Sequence, residues 1–176
     1  MGQSRAGAVG DYLGYSVRKR GLTAGWAAFI CGIAYVAISL YWGLGGTWLL
    51  ATVGGSLASG KSSAAIELAV WAAVVLKAIA AGLPLAALGA LLPAFSARRD
   101  RQRWLRRLTW VEAVILTAYG LVLTVTGLLV QSGAIVPPAN ADHRALEWHA
   151  YLWDPWFLLW GVLATTALLQ TRRPRT

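Results

Sequence analysis

Cysteine is all but missing from this chain: Cys31 stands alone, inside an apolar run. A single thiol closes no internal disulfide, and no Cys–His metal set exists for it to join. This excludes the four-helix membrane proteins that form disulfides or pass electrons to quinones, since both need cysteine pairs. Charge is scarce too. Only 13% of the 176 residues are Asp, Glu, Lys or Arg, and 57% are apolar, whereas a soluble domain is roughly a quarter charged because its surface must face water. Much of this surface must therefore face something else, and lipid is the simplest candidate. Acidic residues are the scarcest class, 7 against 16 Lys and Arg, for a net charge of +9. No nucleic-acid recognition motif accompanies that charge, and no internal repeat or Asp-rich metal motif is present.

The positive charge is ordered along the chain. Most of it lies in three blocks: Arg5 with Arg18, Lys19 and Arg20; Arg98 to Arg107; and Arg172 to Arg175. Between them run four apolar stretches, about 23–42, 64–95, 108–130 and 151–170, each near or above the roughly 20 residues that span hydrocarbon. Backbone polar groups in lipid must be satisfied within the segment, so each run is expected to be helical. The connections at 43–63 and 131–150 carry only Lys61 and Arg144 as basic residues. By the positive-inside rule, the expected architecture is an all-α, four-helix bundle in the bacterial cytoplasmic membrane with both termini inside. It divides into a cytoplasmic segment 1–22, the bundle 23–170 and a basic tail 171–176. The first run is expected to be retained rather than cleaved as a signal peptide. The first twenty residues show a weak pattern for a short interfacial helix. The second run carries Gly82, Pro84 and Pro93, which predict a kink, and its many alanines predict close helix packing.

Gly55 to Ser62 satisfies the phosphate-loop pattern completely. Its context does not: the match lies in an outer connection, the next helix is transmembrane, and no parallel sheet exists to hold it. No nucleotide is expected.

Ionisable residues inside a membrane are costly and mark candidate sites. Glu67 lies about one turn inside the second helix, with Trp71 one turn further on the same face; the helix dipole alone would also favour it there. Lys77, about 15 Å deeper at the helical rise, needs a carboxylate partner or must snorkel. Glu112 shares a face with Tyr119, although a first-turn position beside Arg106 and Arg107 would also explain it. Asp154 stands between Trp153 and Pro155, where it reads as an N-cap with Pro at the first helical position; His149 and Trp156 are near it. Ten tryptophans is a high number, and an aromatic belt at the interfaces would absorb many of them. Those of the outer half, Trp42, Trp71, Trp153 and Trp156 among them, suit a cavity that handles cations.

Two segments are distinctive: Tyr41 to Trp48 (Tyr-Trp-Gly-Leu-Gly-Gly-Thr-Trp) and Trp153 to Phe157 (Trp-Asp-Pro-Trp-Phe). They resemble the marker segments of a family of small four-helix bacterial membrane proteins, common in actinobacteria and named only as a domain of unknown function. The resemblance implies a four-helix bundle and no activity. In size, helix count and supply of acids and Trp, the chain is also similar to the integral membrane terpene cyclases of drimentine-type indole diketopiperazine pathways. No motif fixes that second match.

The leading expectation is accordingly a cyclase that protonates the prenyl chain of a farnesylated, indole-type substrate, without metal or cofactor. Asp154 or Glu67 would be the acid, and His149 or the other carboxylate the base; Glu112 is a further candidate. Trp42, Trp71, Trp153 and Trp156, with Tyr41 and Tyr119, would line the substrate path. Lipid disfavours the charged form of a carboxyl, which keeps such an acid loaded, and a greasy substrate would enter sideways from the bilayer. The alternatives are a non-enzymatic subunit that docks membrane proteins or anionic lipid, and a small transporter, which the missing inverted repeat disfavours.

Overall fold

The computed structural model describes residues 3–54, 64–91 and 98–171. Gly55 to Ser62, Pro93 and Arg172 to Thr176 lie outside the described residues, so the phosphate-loop match, the second kink residue and nearly all of the basic tail are not placed.

The described residues form helices and turns, with no strand among them. Helix α1 spans Gln3–Gly43 and α2 spans Ala64–Leu88. Helix α3 spans Arg99–Gln131, and a short α4, His143–Trp148, runs through a π-helical turn, His149–Trp153, into α5, Asp154–Gln170. Four segments are long and apolar enough to cross a membrane: Ser16–Gly43, Ala64–Leu88, Arg99–Gln131 and His143–Gln170. This is the architecture of a multi-pass membrane protein.

Each boundary has a local cause. Helix α1 is continuous from Gln3, so no separate interfacial helix precedes it. It ends where Gly45 takes φ +90°: the amides of Gly45 and Gly46 turn back onto the carbonyls of Trp42 and Tyr41, closing the last turn in the left-handed manner that glycine permits. Helix α2 stops at Leu88, short of the expected Phe95, by the same device. Gly89 has φ +73°, and the amides of Gly89 and Ala90 bond Ala86 and Leu85. Helix α3 begins at Arg99 rather than Leu108, because arginine, glutamine and leucine propagate a helix beyond the apolar part. Asp100 in its first turn suits the positive end of the helix dipole.

The fourth crossing starts eight residues earlier than its apolar run. Asp142 caps it, accepting the amide of Ala145 at 3.1 Å. Asp154 is therefore no N-cap; it has helical angles within a continuous helix. Pro155 lacks the amide that would bond the carbonyl of Tyr151, and its ring crowds that turn. The π turn just before it is where the helix absorbs the misfit.

In the bundle, α1 packs on α2 and α5, and α3 packs on α2 and α5. The centre is made of small side chains around one large ring: Ala28, Ala81, Ala113 and Ala164 surround Trp160, all essentially inaccessible. The closest approach is between α3 and α5. A methyl group at Gly120 would overlap the Leu158 backbone, one at Gly127 would meet Ala150, and one at Gly161 would meet Thr117. At one end of the bundle, Arg106 of α3 donates to the carbonyl of Leu168 at 3.0 Å and to Thr171 at 3.2 Å. This satisfies the final turn of α5 with a cation where the dipole favours one. The opposite end, where α1 finishes and α5 begins, carries the loop 44–54.

Candidate functional site at the loop end

Loop 44–54 folds back over its end of the bundle because several side chains clasp it there. The Trp42 indole donates to the carbonyl of Trp48 at 2.8 Å, and Gly46 lies against the Tyr41 ring, where no Cβ fits. Leu49 takes the left-handed conformation, φ +60°, a strained choice for a leucine. A single 3-10 turn, Leu50–Thr52, follows. Thr52 is buried and holds that geometry by donating to the carbonyl of Leu49 at 2.6 Å. The same hydroxyl oxygen accepts the indole N–H of Trp153 at 3.2 Å, so the loop is pinned to the π turn.

His149 is held from two sides. Its Nδ1 is 3.2 Å from Asp154 Oδ1, and its Nε2 is 3.3 Å from the carbonyl oxygen of Val53. A carbonyl only accepts, so Nε2 must carry a hydrogen. Asp154 is only 5% exposed, whereas the His149 side chain is 37% exposed, so the pair is closed on the side of the acid and open on the side of the imidazole.

Aromatic rings cluster where Trp153 and Trp156 flank Asp154 in the chain. Tyr35 of α1, itself 7% exposed, lies 5.8 Å from Trp153, 5.5 Å from Trp156 and 4.8 Å from Phe157, centroid to centroid. Trp42 meets Trp153 edge-on at 5.5 Å, and the Trp153 and Trp156 rings are stacked at 6.4 Å. The Trp156 indole donates to the Cys31 carbonyl at 3.1 Å, fixing α5 against α1. Lys77 reaches in from α2. Its Nζ donates to Ser39 at 2.9 Å and sits 4.4 Å from the centre of the Tyr35 ring. The expected carboxylate partner for Lys77 is thus replaced by a hydroxyl and a π face.

An open apolar groove lined by Ala37, Ile38, Tyr41 and Trp48 lies beside the cluster. It connects through Trp42, whose indole holds Trp48 and whose ring meets Trp153.

The structure therefore gathers Asp154, His149, Trp42, Trp153 and Trp156, with Tyr41 at the neighbouring groove. It leaves other candidates apart. Glu67 is exposed. Trp71 borders Gly43 and is 42% exposed. Tyr119 is half exposed and meets only the far side of the cluster, through Phe157 at 5.6 Å. Glu112 lies in α3, thirteen residues beyond its first residue and so not in a first turn.

Sequence reasoning missed Tyr35, Ser39, Thr52, Phe157 and the Val53 carbonyl. Only a hydroxyl-bearing or aromatic residue at helical spacing within α1 would have hinted at Tyr35 and Ser39. No three His, Cys, Asp or Glu among the described residues gather as metal ligands.

No curated protein and no solved structure matches the chain. The model of one protein family, described as "Protein of unknown function (DUF3995)", matches residues 19–164. That span takes in the whole loop-end cluster.

Proposed function

The chain belongs to the DUF3995 family of unknown function, and we propose that it is a membrane-embedded cyclase acting on the prenyl chain of a farnesylated, indole-type substrate. In this reading it crosses the bacterial cytoplasmic membrane four times with both ends inside, so the loop end faces outward. The observation that carries the reading is the 3.2 Å contact between His149 Nδ1 and the buried Asp154, with the Trp153 and Trp156 rings on either side of Asp154 in the chain.

Asp154 gives its proton to the terminal alkene of the prenyl chain, and the new C–H bond leaves a tertiary cation. The next double bond attacks that cation and closes a ring. A proton is finally lost to the pair, so atoms and electrons balance as an isomerisation. Loss of that proton leaves the Asp154 carboxylate facing the unprotonated Nδ1 of His149, so the pair is ready to take up the last proton of the substrate, while the Val53 carbonyl keeps the ring in place. Trp42 and Trp156, which are only partly buried, are the rings proposed to meet the travelling positive charge, an attraction of about 2 kcal/mol when desolvated. The apolar groove at Tyr41 and Trp48 suits sideways entry of a greasy chain. Glu67, being exposed, has no part in the acid step.

The test is turnover of farnesylated indole acceptors by the purified protein in detergent, read by mass spectrometry and NMR. Cyclised product should fall at least about 100-fold in Asp154→Asn, the scale of a general acid, and persist in Glu67→Gln. Equal turnover in Asp154→Asn and wild type overturns the proposal.

One set of contacts favours a second reading, a non-enzymatic subunit. The indole N–H groups of Trp42, Trp153 and Trp156 all serve internal acceptors, as a purely structural clasp would have them. That reading requires no turnover and a stable membrane partner on gentle extraction.

A further inference from the structure

Glu112 lies at a different level of the bundle from the loop-end cluster. Two close approaches fix the register between α3 and α5: Gly120 against Leu158 and Gly127 against Ala150. Asp154 therefore stands opposite the neighbourhood of Thr124, twelve residues from Glu112, or about 18 Å along the axis at the helical rise. The two acids do not share a site.

The surroundings of Glu112 are unusual for a carboxylate. Its neighbour Ala113 belongs to the central core with Ala28, Ala81, Trp160 and Ala164. Both Glu112 carboxyl oxygens are closed off, and neither accepts a hydrogen bond. The arginines that explained Glu112 in the sequence are occupied: Arg106 donates to Leu168 and Thr171, and the Arg107 guanidinium lies 5.6 Å from the Trp104 ring. The Trp160 indole nitrogen and the Thr117 hydroxyl, in the same part of the core, are also without partners. An ionised carboxylate so placed would forgo water and every donor at once, whereas the neutral acid loses far less on burial.

We infer that Glu112, partly buried with both oxygens closed off, is a second proton-binding site of the bundle, independent of the Asp154–His149 pair. The ligand is the proton itself, and the site has a characteristic reactivity toward lipophilic carbodiimides. The neutral acid protonates a carbodiimide nitrogen, its oxygen adds to the central carbon, and the O-acylisourea rearranges to a stable N-acylurea. Nothing leaves, so the adduct has the mass of protein plus reagent. The inference does not depend on the cyclase reading.

Full-length protein in detergent at neutral pH would be treated with dicyclohexylcarbodiimide and the adduct mapped by peptide mass spectrometry. The expected result is modification at Glu112, absent in Glu112→Gln and kept in Glu67→Gln and Asp154→Asn. An infrared spectrum of the same samples should show the carbonyl stretch of a neutral carboxylic acid, weaker in Glu112→Gln than in the wild type and, in an Asp154→Asn background, abolished by Glu112→Gln. An unmodified Glu112 in the wild type, or an acid band unchanged by Glu112→Gln, overturns the inference. Mapping on the wild type decides the matter even where Glu112→Gln fails to fold. Neither readout needs turnover, so failure here leaves the cyclase proposal untouched, and failure of turnover leaves this one standing.

Discussion

Thr52 shows how much of the loop end rests on single atoms. Its hydroxyl donates to Leu49, offsetting part of the strain of that left-handed leucine, and accepts from Trp153 with the lone pairs that remain. Thr52→Val leaves the buried indole N–H of Trp153 unpaired, a penalty of about 1–3 kcal/mol. Thr52→Ser keeps the hydroxyl and loses only a methyl group, about 0.8 kcal/mol. Thermal unfolding in detergent should rank wild type above Thr52→Ser, and Thr52→Ser above Thr52→Val; the reverse order of the two variants would deny Thr52 this role. Asp154, His149 and the adjacent tryptophans were legible in the sequence because they lie within eight residues of one another. Tyr35, Ser39 and Thr52 were not, since they reach the site from about a hundred residues away and look like ordinary residues in their own segments. Of the two readings open for Glu67, the first-turn position is the one the helix shows. Its spacing to Trp71 fixed a common helix face but not the direction that face points, and it proves exposed.

The helices meet at unequal distances. The α2 alanines predict close packing, and Ala81, Ala86 and Ala87 are buried. The nearest backbone approach instead joins α3 to α5 through Gly120, Gly127 and Gly161. Gly120 and Gly127 are seven residues apart, one coiled-coil repeat, and that spacing was the available signal. Gly120→Leu places a branched side chain against the Leu158 backbone. Overpacking of this kind costs about 1–3 kcal/mol or more, and here it would also shift α5 and with it Asp154. Lower thermal stability together with reduced turnover is the expected outcome; unchanged stability would mean that α3 and α5 do not pack as described. The π turn was the least legible element. The Trp-Asp-Pro-Trp segment reads equally well as a helix start, and only the Asp142 cap upstream turns Pro155 into an interior residue that bends the path and aims His149 at Asp154.

At the scale of the molecule, α3 sets the problem. Val111, Val114, Ile115, Val122 and Val125 are all more than 45% exposed, a surface that water would not tolerate and lipid covers without cost. The four apolar segments were legible because length and composition alone decide them; their ends were not, because caps and glycines decide those. The proposed orientation places Asn140 outside and Arg98 inside. In a Cys31→Ala background, a membrane-impermeant maleimide added to right-side-out vesicles should label Asn140→Cys and spare Arg98→Cys until the membrane is permeabilised. Labelling of Arg98→Cys alone would invert the topology and put the loop end inside. The most direct test of the account is cyclisation run in D2O. It should yield product carrying one deuterium at the carbon that was the terminal alkene, formed by the wild type and lost in Asp154→Asn. Product without deuterium at that carbon, or deuterated product formed equally well without the Asp154 carboxyl, would contradict it.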